Sequence, residues 1–186
     1  MSRFQRGKRM ALRILSEHSI RKAPVDVEKV AKKYAHVIRD DLGGDVSGML
    51  VPLREPIRGK RWAIVVHQDH SHVRQRFTIA HELGHLLLHD YNAPHADRGY
   101  SLRLRKTVRY RNAESSKGSV IEEIEANQFA ADLLMPDRVI LRELMRSRFE
   151  YAPQQDEGDA KVLRELASRF EVSQQALAIK ISHFVM

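Results

Sequence analysis

The sequence predicts an α+β fold: a small, mostly antiparallel sheet of three or four strands packed with about six helices. Three observations point there. Apolar residues recur at three- and four-residue spacing in six or seven stretches spread over the chain. Three short runs rich in valine and isoleucine lie close together between residues 36 and 67, separated by Gly- and Pro-containing turn material. No repeat or low-complexity run interrupts the pattern.

Phe4–Ser16 has the spacing of a basic amphipathic helix, with Phe4, Met10, Ala11, Ile14 and Leu15 on one side. Pro24 precedes a second helix, Val25–Tyr34, whose first turn carries Asp26 and Glu28 where the helix dipole favours carboxylates. Strands are predicted at His36–Arg39, Ser47–Leu53 and Arg61–His67, with turns at 41–45 and 54–59. A long helix follows over Ser71–His89, stopped by Asn92-Ala93-Pro94. Leu102, Leu104, Val108 and Tyr110 alternate with Arg103, Arg105, Arg109 and Arg111, the pattern of an edge strand or hairpin with an arginine face. Ser119 and Glu122 form a capping box for a helix to Met135. Pro136 opens another, to about Phe149, and Asp159–Phe170 and Ser173–Val185 close the chain. Residues 1–150 are expected to form the main domain, with 151–186 a helical segment packed on the same core.

With 186 residues the chain can bury a sizeable core, and with no cysteine any metal must be held by His, Asp or Glu. No apolar run approaches the ~20 residues of a membrane span, and Arg13 interrupts the only N-terminal stretch resembling a signal core. The expectation is a protein of the cytoplasm with no membrane partner. Its net charge of +8 is uneven: residues 1–40 carry +7 and 98–119 carry +6, whereas 120–186 carry −4. Such basic blocks suit an acidic or anionic partner. Seven of the ten histidines fall between His67 and His95, a concentration that points to metal or proton chemistry.

Within that window His81-Glu82-Leu83-Gly84-His85 stands on the predicted helix. Four residues advance a helix by about 400°, so His81 and His85 share a face and can ligate one zinc ion. Glu82 is then placed to act as a general base on a water whose pKa the ion lowers. At this chain's His and Glu frequencies the motif arises by chance in roughly 4% of such sequences. A third ligand is required. Position 91, where one class of zinc peptidases has a further histidine, is Tyr91. His89 lies a further turn along the helix and is expected to make a helix-end or core hydrogen bond. On a helical wheel of residues 120–134, Glu123 and Asn127 sit among Val120, Ala130, Ala131 and Leu134, while Glu125 and Asp132 fall on the opposite side, assigned to water. Glu123 is therefore the expected third ligand and Asn127 the group that orients a ligand histidine. For the extended substrate, Gly48, Met49 and Leu50 are the candidate edge strand. Tyr91, Tyr100, Tyr110 and His95 are the candidate groups to polarise a scissile carbonyl.

The run Arg74–His89, centred on His81-Glu82-Leu83-Gly84-His85, resembles the core of the ImmA/IrrE metallopeptidases. Glu123–Pro136 resembles their downstream helix, and Leu166–Leu177 is similar to their closing helical segment. The resemblance spans roughly residues 25–183. It implies a zincin-like active-site helix of the gluzincin type, one zinc per chain held by His81, His85 and Glu123, and Glu82 as base. It also implies a protein substrate, a helix-turn-helix repressor or antitoxin partner, cleaved to relieve repression in mobile-element, stress or toxin–antitoxin circuits. Two other readings compete. Leu163–Ile181 has the cadence of a DNA-binding helix-turn-helix, although its second helix has no arginine and its surroundings are acidic. A metal-braced module that binds a partner without cutting it is the other.

Overall fold

The computed structural model describes residues 5–43, 46–89, 95–96, 120–147 and 157–184, with 95–96 and 157–159 described in their backbone. Among these residues the chain is α+β, with seven helices and a four-stranded mixed sheet. The helices are α1 (Arg6–Glu17), α2 (Val27–Ala31), α3 (His72–Leu88), α4 (Val120–Leu134), α5 (Asp137–Ser147), α6 (Glu157–Phe170) and α7 (Gln174–Ser182). The strands are β1 (His36–Asp40), β2 (Gly48–Ile57), β3 (Lys60–His67) and the two-residue β4 (His95–Ala96).

The spatial order is β1-β3-β2-β4. β2 and β3 form an antiparallel hairpin pairing Gly48 with Val66 and Pro52 with Trp62. Its turn is tighter than the expected one. β2 runs on to Ile57, and only Arg58 and Gly59 turn, both with positive φ (49° and 77°), as a two-residue hairpin connection requires. β1 joins the far side of β3 in parallel, His36 opposite Ala63 and Asp40 opposite His67. Two of the three pairings are thus antiparallel and one is parallel.

Buried residues of β2 and β3 alternate between two cores. Leu50, Ile64 and Val66 face the helices, where they join Ile79, Ala80 and Leu83 of α3 and Phe129 and Leu133 of α4. Met49, Val51 and Val65 face the other way and are covered by Leu42 and Val46. Leu163, Leu166 and Phe170 of α6 and Leu177 and Ile181 of α7 belong to the same large core as α3.

Polar contacts seat α3. Ser71 caps its N-terminus, accepting from the backbone N–H of Arg74. The Gln75 amide lies 2.8–3.1 Å from the carbonyls of His67, Gln68 and His70, which ties the helix to the end of β3. The buried Arg76 donates to Val25 O at 2.8 Å and pairs with Glu171 at 3.1 Å, joining α3 to the entry of α2 and the α6–α7 turn.

One expectation is corrected, and two fall outside the described residues. Met49 and Leu50 are not at a sheet edge: β3 pairs with them on one side and β4 on the other, while Gly48 is paired with Val66 of β3. A Cβ on Gly48 would collide with the Thr78 methyl of α3 and lie 2.9 Å from Val65 O, so this glycine serves the packing of sheet on helix. The arginine-faced strand around 102–111 and the Ser119 cap lie outside the described residues.

Candidate metal centre

α3 is buried nearly all round at its middle, where every residue from Thr78 to His85 is buried. The backbone thereby holds His81 and His85 on one face, a turn apart, with Nε2 atoms 2.9 Å from each other. α4 crosses this face closely because Gly84 has no side chain. A Cβ there would lie 2.9 Å from Phe129 Cδ1 and 3.2 Å from Ala126 Cα. The approach brings in Glu123, with Oε2 at 3.3 Å from His81 Nε2 and Oε1 at 3.2 Å from His85 Nε2. One ligand atom from each of the three residues falls within 4.8 Å of the others.

That arrangement fits a metal ion. Tetrahedral bonds of ~2.0–2.1 Å put neighbouring ligand atoms about 3.3 Å apart, close to the 3.2 and 3.3 Å from Glu123 to the histidines and somewhat beyond the 2.9 Å between the histidines. The protonation states suit the role. The His81 and then the His85 imidazole beside its oxygens hold the Glu123 carboxyl well below the usual carboxylate range, against the opposing effect of burial. Burial above all pushes the His85 imidazole down, toward the neutral form whose lone pair ligates. His81 Nδ1 meets Asn127 Oδ1 at 3.0 Å, a contact in which the amide oxygen accepts from Nδ1–H while Nε2 is turned toward Glu123 and His85. Asn127 is an exposed residue, yet its amide oxygen turns in to this imidazole. Glu82, between the two histidines in sequence, is 0% exposed.

The buried arc of α4 includes Ala130 and Leu134 of the stripe the wheel selects but extends well beyond it. Glu125, expected in water, is 5% exposed, and Asp132 is buried beside it, whereas Val120 is 76% exposed. α4 packs against α3 on one side and α1 on another, so its hidden arc is far wider than a single stripe. Glu123 lies at the rim of that arc. The buried carboxylates have partners remote in sequence: Arg6 and His89 for Glu125, Lys180 for Asp132. His89 accordingly faces Glu125, with Nε2 at 3.5 Å, its ring centroid 5.4 Å from that of His85.

Phe77 belongs to the site and was not singled out in the sequence. Its ring lies against His81 with centroids 6.2 Å apart and planes at 28°. The signal was its position four residues before His81 on the same helix face. Tyr91, Tyr100 and Tyr110 lie outside the described residues, and of His95 the backbone alone is described, paired with Leu50.

A buried helix bearing two histidines one turn apart, met by a glutamate from a second helix on an α+β scaffold, is the architecture of a metallopeptidase. Residues 32–182 match the family model Peptidase_M78, the IrrE N-terminal-like domain. The chain belongs to this metallopeptidase family. No curated protein matches it.

Proposed function

We propose that this chain is a zinc-dependent endopeptidase that cleaves a helix-turn-helix transcriptional repressor or antitoxin, relieving repression in the cytoplasm. The observation that carries the reading is the convergence of His81, His85 and Glu123 from two helices onto one point. The three residues would hold a single zinc ion, which when bound polarises a carbonyl and lowers the pKa of water. Glu82 takes the proton of the attacking water and passes it to the leaving amine. Asn127 holds the His81 tautomer, and Phe77 holds its ring plane. Burial of Glu82 and both histidines excludes bulk water from the catalytic groups.

Supporting the choice of substrate are the resemblance to the ImmA/IrrE peptidases and the basic N-terminal block, which suits an acidic surface on a partner. A DNA-binding role for α6–α7 has less support. Leu163, Leu166, Phe170, Leu177 and Ile181 are taken up by the core, and residues 120–186 carry a net −4. Among the described residues no helix is long and apolar enough to cross a membrane.

Zinc content and repressor cleavage, measured together on the native chain and on Glu82→Gln, test the proposal. The peptidase keeps one zinc in the variant and loses cleavage. A metal-braced binding module captures the repressor uncut in both forms, and a DNA binder ignores the change while its affinity falls steeply with salt.

A further inference from the structure

The family match begins at residue 32, so α1 stands before it. Yet α1 packs on the helix that supplies Glu123. Gly7 is buried against the α4 backbone: a Cβ there would fall on the carbonyl oxygen of Glu125 and lie 2.9 Å from the amide nitrogen of Phe129. The preceding residue spans both helices of the metal centre. Arg6 Nη1 reaches Glu125 Oε2 of α4 at 3.4 Å, and Nη2 donates to Leu88 O, the last residue of α3. The Glu125 carboxylate also faces His89, the C-cap residue that follows α3.

We infer that α1 is a clamp for the metal centre, in which Arg6 and Gly7 are positioning residues that set α4 against α3 and so aim Glu123 at His81 and His85. The inference rests on the metal-site reading proposed above. Its physical basis is a division of labour. Gly84 sets how closely α3 and α4 approach, but a helix contact at one point leaves rotation and sliding free. Arg6 fixes a second point. Its planar fork suits two acceptors in different directions, here a carbonyl at the end of α3 and a carboxylate two residues from Glu123. Gly7 supplies the third, since only a residue without Cβ lets α1 lie on the backbone of α4 at Glu125 and Phe129. Alanine is the better helix former, so a loss on Gly7→Ala arises from this contact and not from α1 itself. Misplacement of a functional group by about 1 Å is costly out of proportion to its size.

The test uses the full chain and two readouts: zinc affinity by chelator competition, and hydrogen exchange of the Ile124–Asn127 amides in metal-stripped protein. Arg6→Ala and Gly7→Ala are each expected to weaken zinc binding by about tenfold or more and to quicken exchange at those amides. Val30→Ala, in the core at α2, serves as the merely structural control, lowering the thermal midpoint while leaving zinc affinity unchanged. If Gly7→Ala does not fold, Arg6→Ala decides. Arg6→Ala with both zinc affinity and exchange equal to the native chain overturns the clamp. A native chain that binds no zinc refutes the metal reading instead, and the exchange comparison on metal-free protein still decides the clamp.

Discussion

Asn127 of α4 and His81 of α3 are joined by one hydrogen bond, Nδ1 to Oδ1 at 3.0 Å. Since the amide oxygen only accepts, the imidazole donates from Nδ1 and presents Nε2 to Glu123 and His85. Asn127→Ala is expected to weaken zinc binding by roughly 10–100-fold. Asn127→Asp, which keeps the acceptor, should restore most of it. Chelator competition measures both, and equal affinity in all three proteins would remove Asn127 from the site.

Glu82 sits between the ligands and is fully buried. Glu82→Gln preserves size and removes the base, so peptide hydrolysis should fall by about 10²–10⁴-fold. Zinc stoichiometry, read by elemental analysis, should stay at that of the native chain. Loss of both together would mean that Glu82 supports the metal and not the proton transfer.

Gly84 lets α4 pass at van der Waals distance. Gly84→Ala places a methyl 2.9 Å from Phe129 Cδ1 and 3.2 Å from Ala126 Cα, and a backbone atom cannot yield as a side-chain tip can. The variant should lose ~1–3 kcal/mol of stability in urea unfolding despite alanine's higher helix propensity. A gain in stability would show that the helices have room to part.

Lys180 of α7 is buried with its ammonium on Asp132 of α4 and 2.7 Å from Asp137 of α5. Lys180→Met strands Asp132 in the core, whereas Asp137 keeps Lys8 at 2.7 Å. The expected loss is about 3–5 kcal/mol, since removal of one partner leaves a buried charge uncompensated. Replacing Asp132 with Asn in the same chain should recover part of it, visible in the thermal midpoint.

Glu28 binds Arg39 at 2.5 Å and Lys32 at 2.7 Å, and the Arg39 guanidinium, followed by Lys32, lowers its pKa from 4.5 to about 2. A carboxyl depressed on folding stabilises the native state above its unfolded pKa and loses that contribution as pH falls through the folded one. The window is therefore pH 4.5 to about 2. Because the pair is solvent-accessible, screening cuts the contribution to roughly 1 kcal/mol or less. Urea midpoints of the native chain and Glu28→Gln should differ at pH 6 and converge near pH 2. A difference unchanged across that range would assign the effect to packing.

Most elements were legible from periodicity and caps. α3 is buried on all sides around His81–His85, yet its predicted bounds, Ser71–His89, differ from the observed ones by one residue at each end. Ser71 and Ser173 cap the helices they precede. Legibility failed where a partner is distant. Pairing of β1 with β3 in parallel is set by which faces must be covered, and nothing within His36–Asp40 encodes it. Two-residue β4 is too short for any alternation to register, and it is what moves Met49 and Leu50 from edge to interior. The helical wheel of α4 put Glu123 and Asn127 on the right side but misplaced Glu125 and Asp132 for a related reason. It treats charge as a marker of solvent, but Glu125 and Asp132 are buried against Arg6 and Lys180, 119 and 48 residues away.

The local order of residues dictates the two-histidine face of α3, because a 3.6-residue turn sets His81 beside His85 whatever surrounds them. Composition likewise compels a ligand set of imidazole and carboxylate, since no cysteine exists to offer an alternative. Glu123's place opposite those histidines comes from elsewhere: from Gly84 and Gly7, each giving up a side chain so that α4 can lie between α3 and α1. Helix spacing is a property of pairs of surfaces, so it emerges once the chain has packed.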